Sequence, residues 1–226
     1  MRLNKKIITK IKLPVKKEKN LKLWLNKMLT KSLKDLKIKK LYGLLVHDTS
    51  DILNKKNRFL EYILELKKKK LVSKVGISVY EINEINQVLK FWKPDIIQIP
   101  LNIFDQRFLK KDLLKKLKKQ NIEIHVRSCF LKGLLLQSQL KIGNFKSKNL
   151  FKKFTSWCNS KNISQLDACL NFIKKIKHID GIVVGFDSAK QLKEIIYCFR
   201  KKTIFVPDDF ANNEKKLIDP RKWKIN

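Results

Sequence analysis

In the stretch LYGLLVHD, Leu41 to Asp48, an apolar run leads straight into a histidine and an aspartate. A continuous apolar run of this length reads as a strand buried on both faces, the kind found in a parallel sheet. Residues just past the carboxyl ends of such strands line the active sites of parallel α/β folds. His47 stands at such an end. On this stretch alone, a core or loop histidine satisfied by a neighbour is the simpler account. The other reactive side chains are four cysteines, Cys129, Cys158, Cys169 and Cys198. None forms a C-x-x-C pair and no histidine spacing completes a zinc site, so free thiols in a reducing cytosol, and no metal, are expected.

The elements that must position His47 alternate between strand and helix. Lys6 to Ile11 is a short β-branched run, and Pro14 breaks the chain after it. Leu21 to Leu36 has helical apolar spacing, with Leu21, Trp24, Leu25, Met28, Leu29 and Leu33 along one face. The strand carrying His47 follows, then loop and cap chemistry from Asp48 to Asp51. Phe59 to Leu71 is a second amphipathic helix, and its closing lysines, Lys67 to Lys70, suit the negative end of the helix dipole. Val75 to Val79 is the next strand and Ile82 to Phe91 the next helix, stopped by Pro94. Asp95 to Pro100 is a strand, Leu109 to Lys119 a helix, and Ile122 to Val126 a strand. Asn149 to Cys158 and Gln165 to Ile176 are helical, the latter capped by Ser164. Gly181 to Phe186 is the sixth strand and Ser188 opens a last helix to Phe199. Residues 206–226 show no period and read as an irregular tail.

Such alternation suits βαβ units. A doubly wound sheet binding a dinucleotide usually has a Gly-rich turn after its first strand, and no G-x-G-x-x-G or Walker loop occurs. An eight-stranded parallel barrel is the other candidate, and six βα units are two too few to close one.

A chain of 226 residues is long enough to bury a sizeable core. No apolar run approaches the roughly 18 residues that span a bilayer, and the basic N-terminus lacks the apolar stretch of a signal peptide. No membrane partner is expected. The net charge is +33, from 53 basic and 20 acidic residues. Only six of the basic residues are arginine, and they are spread over the whole chain and its helix surfaces. With no RNP or zinc-finger signature beside it, the charge reads as a compositional drift toward Lys, Ile and Asn. No specific nucleic-acid partner is expected.

Taken in order, IITK, SLKDL, LLVHD, VGISVY, IIQIPLNIFDQR, HVRSCFLKGLLL and VVGFDSAKQLKE resemble the aldo/keto reductase family. The likeness covers nearly the whole chain, collinearly. QIPLNIFDQR and RSCFLKGLLL look most like a bacterial branch associated with surface-sugar biosynthesis. The resemblance implies an α/β fold of the parallel (β/α)8 TIM-barrel type. The six strands here would be strands three to eight, the first two βα units being absent, so that the sheet is an open arc with exposed edges. It also implies a cytoplasmic oxidoreductase that reduces a small-molecule carbonyl substrate, possibly a sugar-related one, with NADPH or NADH. The alternative is a catalytically impaired remnant that binds a nucleotide or a protein partner.

The family's catalytic tetrad is Asp, Tyr, Lys and His. Lys10, in IITK, matches the lysine, and His47, in LLVHD, matches the histidine. The Asp and Tyr belong to a D-T-A-x-x-Y-G-like run with no counterpart here, and neither Tyr42 nor Tyr80 occupies that position. In the family the tyrosine protonates the carbonyl oxygen, the lysine ammonium makes that proton more available, and the histidine orients the carbonyl. On the cofactor side Ser78 and Gln98 match the two partners of the nicotinamide carboxamide. Val79 stands where an asparagine is frequent. Arg127 falls where a ring-stacking tyrosine is frequent, and Ser128 and Phe130 follow in the pyrophosphate loop. Gln191 and Glu194 match positions near the adenosine end. Gln191 stands where arginine is frequent and Ile195 where asparagine is, which leaves the choice between NADP and NAD open.

Overall fold

The structure is a computed structural model that describes residues 6–14, 18–54, 58–137 and 148–223. Six strands, β1 (Ile8–Ile11), β2 (Leu41–Val46), β3 (Val72–Ser78), β4 (Ile96–Pro100), β5 (Glu123–Arg127) and β6 (Gly181–Ile182), hydrogen-bond in that order. The pairings β1·β2, β2·β3, β3·β4 and β5·β6 are all parallel. The helices are α1 (Leu21–Asp35), α2 (Ser50–Leu53), α3 (Phe59–Lys68), α4 (Ile82–Leu89), α5 (Leu113–Lys119), α6 (Lys148–Ser160), α7 (Gln165–Lys174), α8 (Ala189–Arg200) and α9 (Lys215–Ile218). The expected α/β class with parallel strands is therefore the observed one. The chain forms two compact units, residues 1–98 with 120–123, and residues 99–119 with 124–226.

In the first unit β2 is buried on both faces, as its unbroken apolar run requires. Leu41, Leu44, Leu45 and Val46 are each 2 % exposed or less. Burying side chains of this size stabilises by roughly 1.5–3 kcal/mol each. Helix α1 buries Leu25 and Leu29, and α3 buries Phe59, Ile63 and Leu66. The side chain of Asn20 caps α1 by accepting from the Leu23 N–H at 2.9 Å. Lys67, near the end of α3, does more than answer the helix dipole. Its ammonium bonds both Asp95 oxygens at 2.6 and 2.8 Å, and Asp95 Oδ2 also accepts from the Val75 N–H at 2.8 Å. That carboxylate ties the start of β4 to β3. Above it Gly76 lets the two strands close, because a Cβ there would lie 2.2 Å from the Ile96 carbonyl oxygen.

The second unit buries most of α7, from Leu166 to Ile173, with Ser164 as its N-cap. Beside it Phe104, Phe154 and Phe210 pack edge to face, with ring centroids 5.7 and 5.5 Å apart. Phe210 comes from the stretch after residue 205, where Val206, Leu217, Ile218 and Trp223 are also buried. Helix α9 and a 3-10 turn at Pro220–Lys222 lie within that stretch.

Two expected elements depart from the sequence reading, and two short helices, α2 and α9, lie where it had a loop and an irregular tail. The helix expected over Leu109 to Lys119 is a 3-10 segment, Arg107–Asp112, followed by α5, with Lys110 extended and Lys111 left-handed at φ 56°. Phe108 is fully buried and Arg107 forks onto buried Asp105, so the chain is anchored ahead of the helix and must turn to enter it. The strand expected over Gly181 to Phe186 keeps only Gly181–Ile182. Val183 N–H still reaches the Val126 carbonyl at 2.7 Å, but β5 ends at Arg127 and the following residues have no ladder to join. Val183 and Phe186 are consequently exposed.

Leu45→Asp should abolish folding, since an unpaired charge on this strand costs several kcal/mol. His47→Ala, at an exposed position one residue beyond the strand, should leave the melting temperature nearly unchanged. Circular dichroism melts of both variants check this, and similar losses in the two would contradict a strand-end position for His47. Gly76→Ala should cost several kcal/mol in urea denaturation, because the new methyl meets backbone rather than a movable side chain.

Candidate functional site

The parallel registers decide which first-unit side chains share an end of the sheet. Lys10 pairs with Leu45 and Ile11 with Val46, and the His47 N–H donates to the Ile11 carbonyl at 2.8 Å. Lys10 and His47 thus stand at the C-terminal ends of adjacent strands. Ser78 closes β3 and pairs with Gln98 on β4. The loop beyond His47 is braced by carboxylates. Asp48 Oδ1 accepts from the Ser50 hydroxyl at 2.7 Å, and Lys12 lies 3.3 Å from Asp48 Oδ2. Burial alone would raise Asp48, but the Ser50 and Lys12 bonds outweigh it and hold the carboxyl below its ordinary range. Asp51 goes the other way. Burial pushes it above the ordinary range despite its bond from the Leu13 N–H at 2.8 Å.

Glu84 joins the loop after β2 to the loop after β3. Its Oε2 accepts from the N–H groups of Tyr80 and Glu81, each at 2.6 Å, and its Oε1 from the Thr49 hydroxyl at 2.5 Å. This residue was not singled out from the sequence. The only signal for it there is the acid three positions into α4, where a capping box places one.

Ser78 and Gln98 are 1 % and 3 % exposed, and neither Ser78 Oγ nor Gln98 Oε1 has a hydrogen-bond partner among the described residues. A buried polar atom left unpaired costs about 1–3 kcal/mol. Two of them on neighbouring strands at the same register suit a small planar group that both donates and accepts. A primary carboxamide is such a group: its NH2 can donate to Gln98 Oε1 and its oxygen can accept from the Ser78 hydroxyl.

Tyr42 is no candidate acid. It lies near the start of β2, at the opposite end from His47, and its hydroxyl donates to Glu123 Oε1 at 2.5 Å. Burial, with the Glu123 bond behind it, raises its pKa above the ordinary phenol value.

In the second unit Arg127 ends β5, and its guanidinium donates to the Ser128 hydroxyl at 3.1 Å. Ser128, Leu131, Lys132 and Gly133 all have positive φ, from 48° to 83°. Non-glycine residues in this region cost about 1–3 kcal/mol each, so the surrounding contacts must hold them there. Asn102 holds that loop. Its Nδ2 donates to the Ser128 carbonyl at 3.1 Å, while its Oδ1 accepts from the Phe104 and Asp105 N–H groups, both at 2.9 Å. Asn102 too went unremarked in the sequence, although it lies inside a quoted motif. Ser128, Phe130, Gln191 and Glu194 line one cavity of about 960 Å³, and Arg127 is not part of its lining. The four thiols are free and buried. Burial pushes Cys129 up to about 12 and Cys158 up to about 11, so neither supplies a thiolate at neutral pH. Among the described residues no metal-binding cluster occurs and no helix is long and apolar enough to cross a membrane.

The sequence model of the aldo/keto reductase family matches residues 2–218. No curated protein sequence matches the chain significantly. Solved structures do. The holo form of the aldo-keto reductase AKR11C1 from Bacillus halodurans superposes with a TM-score of 0.70 at 18 % identity, covering 88 % of this chain and 68 % of that one. Its apo form gives 0.74 at 16 % identity, covering 96 % and 74 %. The thermostable aldo-keto reductase Tm1743, in complex with the inhibitor epalrestat, gives 0.61 at 14 % identity, covering 87 % and 66 %. At such identities the likeness establishes the fold.

The unpaired atoms provide a test that separates a ligand site from ordinary core. Ser78→Ala and Gln98→Leu should each raise the stability of the ligand-free protein, by about 1 kcal/mol, by removing an unsatisfied buried group. Each should also weaken binding of a reduced nicotinamide dinucleotide about tenfold. Urea denaturation and fluorescence titration measure the two effects, and destabilisation with unchanged binding would mark both residues as structural.

Proposed function

Because the chain belongs to the aldo/keto reductase family, we propose that it is an NAD(P)H-dependent oxidoreductase acting on a small carbonyl compound. The observation that carries this reading is the pair of buried, unpaired oxygens at Ser78 and Gln98. A reduced nicotinamide held against them would supply hydride to the carbonyl carbon, and in this chain the carbonyl oxygen would take its proton from water. Ser78 and Gln98 would hold the carboxamide and so orient the ring. His47, exposed at the end of β2, donates a hydrogen bond to the carbonyl oxygen and orients it. Lys10, on the neighbouring strand, places an ammonium at the same end of the sheet, where positive charge stabilises developing negative charge on that oxygen. A sugar-related substrate is the narrower proposal, and it rests on QIPLNIFDQR and RSCFLKGLLL alone.

A second reading has one specific observation in its favour. Tyr42, on the same strand as His47, stands at the wrong end of it to serve as the acid. On that reading the protein binds a nucleotide, or a protein partner, without turnover.

NAD(P)H oxidation with a panel of aldehydes and ketones tests both readings. Removing a general acid typically costs about 10²–10⁴-fold in rate. The 226-residue chain should bind cofactor and turn over slowly, and fusing on two βα units with the family's Asp and Tyr should restore the missing factor. Full activity in the unextended chain would contradict the assignment of the acid. An extended chain that binds cofactor and stays silent would support the second reading.

A further inference from the structure

Positive charge is spread over the whole chain, but at the C-terminal ends of α7 and α8 it is combined with exposed aromatic rings. Tyr197, Phe199 and Phe205 are 66 %, 43 % and 80 % exposed. Each carries a lysine over its ring. Lys201 Nζ lies 4.7 Å from the Tyr197 centroid, Lys174 Nζ 5.5 Å from that of Phe199, and Lys175 Nζ 5.5 Å from that of Phe205. Lys174 also donates to the Lys201 carbonyl at 2.8 Å, which joins the two helix ends into one surface. Arg200 and Lys202, on either side of Lys201, are exposed. The carboxylates paired with these lysines are Asp167, 3.3 Å from Lys201, and Asp208, 2.5 Å from Lys175. The cations outnumber them, so the surface is positive.

The helix dipole accounts for cations at helix ends, and a modest attraction accounts for a lysine over an exposed ring. Neither accounts for Phe205. Phenylalanine is normally covered, and this is the most exposed large apolar side chain among the described residues. Its backbone is nevertheless fixed on both sides. Ile204 N–H donates to Asn171 Oδ1 at 3.0 Å, while Val206 is fully buried and its carbonyl accepts from the Lys175 ammonium. The ring is therefore held out into water. A flat ring with a cation on one face and further cations around it suits a nucleobase and its phosphate: the base stacks on the other face and the cations meet the backbone. An anionic membrane would meet the same charges, but sinking these rings into it would draw the ammonium groups lying on them out of water, which is costly. A second copy of this chain is repelled by its own net charge of +33. We propose that the ends of α7 and α8, with residues 201–206, bind single-stranded nucleic acid without sequence preference. Phe205 and Tyr197 stack with bases, and Lys174, Arg200 and Lys202 meet phosphates. This activity goes beyond the oxidoreductase reading and does not rest on it.

The experiment is fluorescence anisotropy of the full chain with labelled single strands of about 12 nucleotides: oligodeoxythymidine, oligouridine, and an abasic strand with the same phosphates. Charge alone would bind the thymidine and abasic strands alike. Oligodeoxythymidine should instead bind about tenfold more tightly than the abasic strand, since one stacked base contributes about that factor, with oligouridine close to it. Phe205→Ala, at an exposed position, should lose most of that factor while abasic-strand binding and the melting temperature stay as they are. Arg200→Gln combined with Lys202→Gln should weaken all three strands together and flatten the fall of affinity with salt. No binding, equal binding of the thymidine and abasic strands, or a Phe205→Ala protein that still separates them as widely would overturn the proposal. So would a Phe205-dependent preference for vesicles of anionic phospholipid or for polyglutamate over oligodeoxythymidine, the first assigning the surface to a membrane and the second to an acidic protein.

Discussion

The approach of β3 to β4 is the constraint on which the candidate site depends. Gly76 stands opposite Ile96, and no side chain fits between it and the Ile96 carbonyl. Once that pair is set, the parallel ladder has no further freedom: Ile77 meets Ile97 and Ser78 meets Gln98. A slip of one residue would turn Gln98 to the other face of the sheet, because side chains alternate along a strand. Asp95 guards the same register from below, gripping the Val75 N–H and the Lys67 ammonium at once. Ser78, the last residue of β3, comes beside Gln98 of β4 because a glycine two residues earlier lets the backbones close.

Above the ladder the loops are held by polar side chains rather than by apolar packing. Glu84 and Asn102 have equivalent tasks in the two units. Each spends one oxygen on two backbone N–H groups just beyond a strand end, and each reaches a second loop with its other polar atom. Backbone leaving a strand has donors that no ladder satisfies, and a carboxylate or amide answers several of them together. The cost of fixing such loops is conformational entropy. The positive φ angles at Ser128, Leu131 and Lys132 add to that cost.

How far the fold could be read in the sequence follows from what each signal measures. Continuous apolar runs located β2 and β4 to within a residue or so, because burial on both faces leaves few polar positions in a strand. The same rule extended β6 too far. GIVVGF is apolar, but apolarity reports a tendency to be covered and not whether a neighbouring strand is there to pair with. The break at Lys110 and Lys111 was hidden for a related reason: Phe108 is fixed by contacts that no local period reveals. Glu84 and Asn102 act on residues 35 and 26 positions away, beyond any sequence window. The alternation of elements and the placement of Lys10 and His47 at one end of the sheet were legible. Ser78 and Gln98 were reached through family resemblance, and their register and unpaired oxygens needed the structure.

Those oxygens carry the physical argument furthest. A folded domain is stable by only about 5–15 kcal/mol, so two unsatisfied buried groups at about 1–3 kcal/mol each are a sizeable fraction of the total. Alanine and leucine would fill the same positions without that cost, and the surrounding residues, Ile77, Ile97 and Ile99, show that this part of the sheet is otherwise apolar. Polar atoms retained there against the gradient of stability are explained if a ligand satisfies them. By linkage, whatever binds the native state alone also stabilises it. The ligand-free protein then carries a strain that binding relieves. If the ligand is a carboxamide, part of its affinity would come from this relief, and an apolar ring of the same size, with nothing to donate or accept, would forgo it.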